Sequence, residues 1–80
     1  MTNEEIFTRL QNIFRDIFDN DSLLITRNTI AADIEDWDSL AQINLVVASE
    51  KEFKVKFTLK DMASLNNVGD MLDLIAREVK

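Results

Sequence analysis

Few side chains in this sequence could do chemistry, and one hydroxyl stands apart. Ser39 lies in the run Ile34-Glu35-Asp36-Trp37-Asp38-Ser39-Leu40, where an acidic stretch ends and an apolar helical pattern begins. A serine at the head of a helix holds its oxygen beside unpaired backbone N–H groups and the positive end of the helix dipole, where a phosphate is favoured. Ser39 is therefore a candidate attachment point. The plain alternative is an N-cap worth about 1 kcal/mol, because Asp-Ser before a helix is an ordinary cap. On the tripeptide alone that alternative stands first.

Other chemistry is scarce. The chain of 80 residues contains no Cys and no His. That removes disulfides, thiolate nucleophiles, Cys/His zinc sites and the usual general base. No catalytic residue can be assigned, and the chain reads as a non-enzyme. Asp19-Asn20-Asp21-Ser22 invites a test as a calcium loop. Leu24 stands where that loop needs glycine and Ile30 where it needs its last glutamate, so a solvated turn is expected and no metal site.

The net charge of −6 is unevenly placed. Residues 1–40 carry nine acids against Arg9, Arg15 and Arg27, and residues 41–80 carry six acids and six bases. An acidic half argues against nucleic acid, whose phosphates require a basic face. It suits partners with basic docking surfaces. No run approaches the roughly 18 apolar residues of a membrane span, and no basic-then-apolar leader opens the chain. A cytoplasmic location is expected.

The elements that must position Ser39 read as helices. Hydrophobic residues make up 46% of the chain, with one glycine and no proline, so an all-α domain over residues 1–80 is expected. A first helix is expected over about Asn3–Phe18. Thr2 and Glu5 form its capping box, and Ile6, Leu10, Ile13, Phe14 and Ile17 lie on one stripe widened by Phe7 and Phe18. A long connection, residues 19–38, follows, with Leu23, Leu24, Ile25, Ile30 and Ile34 expected to pin it to the bundle. Trp37 is expected to pack on the bundle.

The second helix is expected over about Ser39–Phe53. Leu45, Val46, Ser49 and Phe53 share its core face, while Leu40, Ile43 and Val47 form a second apolar strip at i, i+3 and i+7. A centrally buried helix and a helix with a docking face both fit that pattern. Residues 54–57 read as an extended link. Leu59–Leu65 reads as a short third helix capped by Thr58 with Asp61. A last helix starts near Asn66 or Asn67 and repeats Val68, Met71, Leu72, Ile75 and Val79, with Gly69 a small cost in its first turn.

From about residue 4 to residue 79 this order resembles the acyl carrier protein family. Ile34 through Leu40 looks like the loop before that family's modified serine, Glu50-Lys51-Glu52-Phe53 like the end of its second helix, and Asn67-Val68 like the start of its last. Trp37 before Asp-Ser-Leu resembles stand-alone carriers of specialised pathways. The resemblance implies a four-helix bundle of three main helices and one short one, with a long loop between helices 1 and 2. It implies a monomer that carries 4'-phosphopantetheine, from coenzyme A, on Ser39 and presents a thioester-bound acyl group. The implied partners are a phosphopantetheinyl transferase, an acyl- or aminoacyl-loading enzyme and downstream synthases. Asp38 would support the transfer, and Leu40 would contact transferase and synthases. An aminoacyl, peptidyl or D-alanyl-type carrier would share the fold and attachment. An unmodified helical adaptor would need Ser39 only as a cap.

Two departures from the family pattern stand out. The family's second helix is usually acidic on its exposed side, but here Ala41, Gln42 and Asn44 occupy its first turns, Lys51 interrupts the acids near its end, and Lys54, Lys56 and Lys60 follow. This implies a dedicated partner held by apolar contact at Leu40, Ile43 and Val47, with acids from the preceding loop, and little affected by salt. Ser49 replaces a bulky apolar core residue and is expected to bond back to the Leu45 carbonyl. Phe57, Met62, Leu65 and Met71 are expected to crowd the interior, leaving a short, polar or exposed cargo.

Overall fold

A computed structural model describes residues 2–79. Helix α1 spans Asn3–Ile17, α2 Ser39–Phe53, α3 Leu59–Ala63 and α4 Val68–Glu78, and a single 3-10 turn, Ala31–Asp33, interrupts the loop between α1 and α2. All regular structure among the described residues is helical, as the periodicity implies. No described helix is long and apolar enough to cross a membrane.

The core forms where the apolar stripes meet. Ile6, Leu10 and Phe14 of α1 pack with Leu45 and Phe53 of α2 and with Val68, Met71, Leu72 and Ile75 of α4. The Thr2 hydroxyl accepts the Glu5 N–H at 3.1 Å and starts α1. Asp19, at φ 49, turns the chain out of it. Ser49 is fully buried, and its hydroxyl donates to the Leu45 carbonyl at 2.7 Å, as expected. That bond satisfies the one polar group inside α2's core face. Met71 is buried in the core, and Phe57 and Leu65 pack, partly buried, against it. Met62, expected to crowd the interior with them, is half-buried and outside that cluster, because the short α3 lies at the edge of the bundle.

The loop is anchored differently from the sequence expectation. Ile25 is buried, and Leu23 and Ile34 pack on the core, but Leu24 is 73% exposed and Ile30 42% exposed. Polar bonds do the rest of the pinning. The Arg15 Nε donates to the Leu23 carbonyl at 2.8 Å, and the Ile25 N–H donates to the Gln11 side chain at 3.1 Å. Further along, the loop lies on the start of α4. The Val68 N–H donates to the Thr29 carbonyl and the Gly69 N–H to the Arg27 carbonyl, both at 2.9 Å. Two otherwise unpaired helix-start donors are thus satisfied by loop carbonyls.

Gly69 corrects the sequence reading for this reason. A Cβ there would lie 2.9 Å from the Arg27 carbonyl oxygen. The glycine permits a close approach that no other residue allows, and is more than a tolerated first-turn cost.

Three boundaries also shift. Helix α3 ends at Ala63, before Leu65, with the Ser64 N–H returned to the Asp61 carbonyl. Lys54 is left-handed, at φ 55, so the link of residues 54–57 begins with a sharp turn and is not extended throughout. Asn67, not Asn66, caps α4 by accepting the Asp70 N–H at 2.8 Å.

Candidate functional site

The head of α2 is built from the loop inward. Ile30 donates its N–H to the Asp33 carboxylate at 3.0 Å, closing the 3-10 turn. Trp37 donates its N–H to the Ile34 carbonyl at 3.1 Å. Its ring meets Phe14 edge-on, with centroids 5.2 Å apart at 83°, and lies 6.3 Å from Phe18. Such aromatic contacts add about 0.5–1.5 kcal/mol beyond burial. The indole Nε1 donates to the Gln42 side-chain oxygen at 2.7 Å, tying the loop to the first turns of α2. Trp37 therefore packs on the bundle as expected. The Gln42 contact is the part sequence reasoning missed, since no residue type or spacing marked it.

This bracing fixes the next two residues. Asp38 is extended, at φ −108 and ψ −170, and its carboxylate accepts the Ala41 N–H at 2.8 Å. Asp38 is the N-cap, and Ser39 is the first residue of the helix. The reading of Ser39 as a cap is thereby overturned, because the neighbouring aspartate does that work. Ser39 is exposed. Among the described residues its hydroxyl makes no hydrogen bond, and the N–H groups of Ser39 and Leu40 have no protein acceptor. The site thus offers a free nucleophilic oxygen beside two free donors at the positive end of a 15-residue helix.

An open cleft of about 500 Å³ adjoins Ser39, lined by Trp37, Gln42, Ile43 and Leu65 among others. Along α2 the second apolar strip stays uncovered: Leu40 is 66% exposed, Ile43 50% and Val47 43%. The centrally buried alternative for this helix therefore fails, and α2 buries one strip while leaving the other to solvent. Glu35, Asp36 and Asp38 surround the head of the helix, and Lys51, Lys54 and Lys56 its tail, all exposed. No group of three or more His, Cys, Asp or Glu among the described residues could hold a metal ion.

Comparison with known proteins adds a second kind of observation. Residues 8–75 match the family model described as the phosphopantetheine attachment site. The chain is 32% identical over 76 residues to an acyl carrier protein of Acidothermus cellulolyticus, covering 95% of this chain and 90% of that protein. It is 30% identical over 77 residues to a meromycolate extension acyl carrier protein of Mycobacterium leprae, covering 96% of this chain and 67% of that one. Its fold superposes on the solution NMR structure of a holo acyl carrier protein from Geobacter metallireducens with a TM-score of 0.87, at 44% identity, covering 92% of this chain and 85% of that one.

Proposed function

Because the chain belongs to the acyl carrier protein family, whose attachment-site model spans residues 8–75, we propose that Ser39 is the residue that carries its 4'-phosphopantetheine. Members of this family are carriers and not catalysts, and the chain is read accordingly. The observation that supports Ser39 is the division of labour with Asp38: the carboxylate caps α2 at 2.8 Å and leaves the hydroxyl exposed and uncommitted.

The residues fit the chemistry of loading. The Ser39 oxygen attacks the pantetheine-bearing phosphorus of coenzyme A, the bond to the adenosine-bearing phosphate breaks, and the serine proton passes to a base. This chain has no histidine to serve as that base. Base and magnesium belong to a separate phosphopantetheinyl transferase, which stabilises the developing charge. Asp38 holds the helix start rigid for that enzyme. The free N–H groups of Ser39 and Leu40 favour the phosphodiester that results. Once bound, the arm supplies a thiol, with an ordinary pKa of about 8.5, able to hold an acyl group as a thioester.

Leu40, Ile43 and Val47 serve as the face on which transferase, loading enzyme and synthases dock. Their exposure on a helix whose other side is buried supports that role. Trp37 and the scarcity of acids on α2 support a dedicated pathway with its own partner enzymes. The test is intact mass after incubation with coenzyme A and a broad-specificity transferase. The wild-type chain should gain one arm, and a folded Ser39→Ala variant should gain none. An unmodified wild type, or a modified variant, overturns the assignment.

A further inference from the structure

Lys51 extends the stripe of Leu40, Ile43 and Val47 along α2, at i+11 from Leu40, and Lys54 follows just past its end as the C-cap. With Lys56, Val47, Val55 and Glu50 they line an open cleft of about 510 Å³. All three lysines are exposed, and none forms an ion pair among the described residues. The arginines behave differently. Arg9 pairs with Glu52, Arg27 with Asp73, Arg77 with Asp61 and Glu78, and Arg15 bonds the Leu23 carbonyl. One Glu50 oxygen in the cleft is committed to the Phe57 N–H at 2.9 Å. Lys54 also occupies a left-handed position, φ 55, where glycine would relieve strain.

We infer that this cleft is a second docking point, which receives an apolar side chain between Val47 and Val55 while flanking carboxylates of a partner protein meet Lys51, Lys54 and Lys56. The inference rests on α2 being the partner face, and it adds a polarity to that face. Acids at the head of α2 and bases at its tail ask for a partner of opposite order, basic near Ser39 and acidic about 20 Å away along the helix. Such an order rejects an enzyme whose surface is basic throughout. An anionic membrane fits poorly, since the same stripe begins beside Glu35, Asp36 and Asp38 in a chain of net charge −6.

The test is an amide chemical-shift titration of the labelled chain with three probes: a peptide with glutamates flanking a leucine, its lysine-for-glutamate counterpart, and phosphatidylglycerol vesicles. The acidic peptide should shift Val47, Lys51 and residues 54–56 saturably, and the other two probes should not. A triple charge reversal, Lys51→Glu, Lys54→Glu and Lys56→Glu, should weaken it at least about tenfold. Lys51→Gln with Lys56→Gln, which leaves the left-handed residue untouched, should weaken it about threefold. No saturable shift, shifts confined to residues 33–38, equal binding by the variants, or binding to vesicles each overturns the inference. Loading of Ser39 is followed separately, by mass, in the wild-type chain. Failure to load the wild type would count against the attachment site and not against this cleft.

Discussion

The Asp38 carboxylate accepts the Ala41 N–H at 2.8 Å, and the adjacent Ser39 hydroxyl is left without a structural task. Cap and nucleophile are therefore separable by mutation. Ser39→Ala should abolish loading while changing stability by no more than about 0.5 kcal/mol. Asp38→Ala should lower stability by about 1 kcal/mol through the lost cap. Urea denaturation of the two variants beside intact mass decides the point. A large loss of stability in Ser39→Ala would show that the hydroxyl has a structural role after all.

The loop depends on the meeting of Gly69 with Arg27. A methyl group at position 69 would sit 2.9 Å from a backbone oxygen that cannot swing away, so the loop must move off α4. Gly69→Ala should cost about 1–3 kcal/mol, despite the better helix propensity of alanine. It should also speed amide exchange at Val68 and Gly69, whose N–H groups donate to this loop. Unchanged stability and exchange would mean that the loop is not held there.

The helices were legible because burial imposes a period on the sequence, and α2 begins and ends where its stripes do. The Thr58 and Asp61 box and the Ser49 back-bond were legible because both are local, within four residues. The loop was not. Its anchors join residues far apart in sequence, as in Val68 to Thr29 and Trp37 to Gln42, and they use backbone carbonyls that every residue type possesses. Leu24 and Ile30 misled because an apolar side chain in a loop has no period to reveal its direction. The alternative of Ser39 as a cap stayed open in the sequence because Asp38 and Ser39 are both good caps, and only the register of the first turn separates them.

The Trp37 bracing makes a further expectation. Gln42→Ala removes the acceptor of the indole N–H and should cost about 1 kcal/mol. Trp37→Ala removes the contacts with Phe14 and Phe18 as well and should cost about 2–3 kcal/mol, less than a fully buried tryptophan. Equal losses in the two variants would show that the ring packing contributes little.

Met71 is buried in the core, and the partly buried Phe57 and Leu65 pack against it. A tethered acyl chain should therefore stay outside the bundle. The melting temperature of loaded protein should remain flat as the acyl chain is lengthened. A chain entering the core would add up to about 0.8 kcal/mol per buried methylene, and a steady rise with length would refute the crowded interior.

Acid should act through Asp61. The Thr58 N–H donates to its carboxylate at 3.1 Å, and the Arg77 guanidinium donates to it at 3.1 Å. The Thr58 bond first, and Arg77 second, hold its pKa below the ordinary 3.8. A carboxyl depressed on folding contributes stability that is complete above its unfolded value and is lost as pH falls through the lower folded one. The contribution of Asp61 should thus be intact at neutral pH and disappear below about pH 3.8. Asp61→Asn keeps an acceptor for the α3 cap but cannot titrate. Its urea midpoint should change less than that of the wild type across the acid range, and identical slopes for the two proteins would remove Asp61 from the acid response.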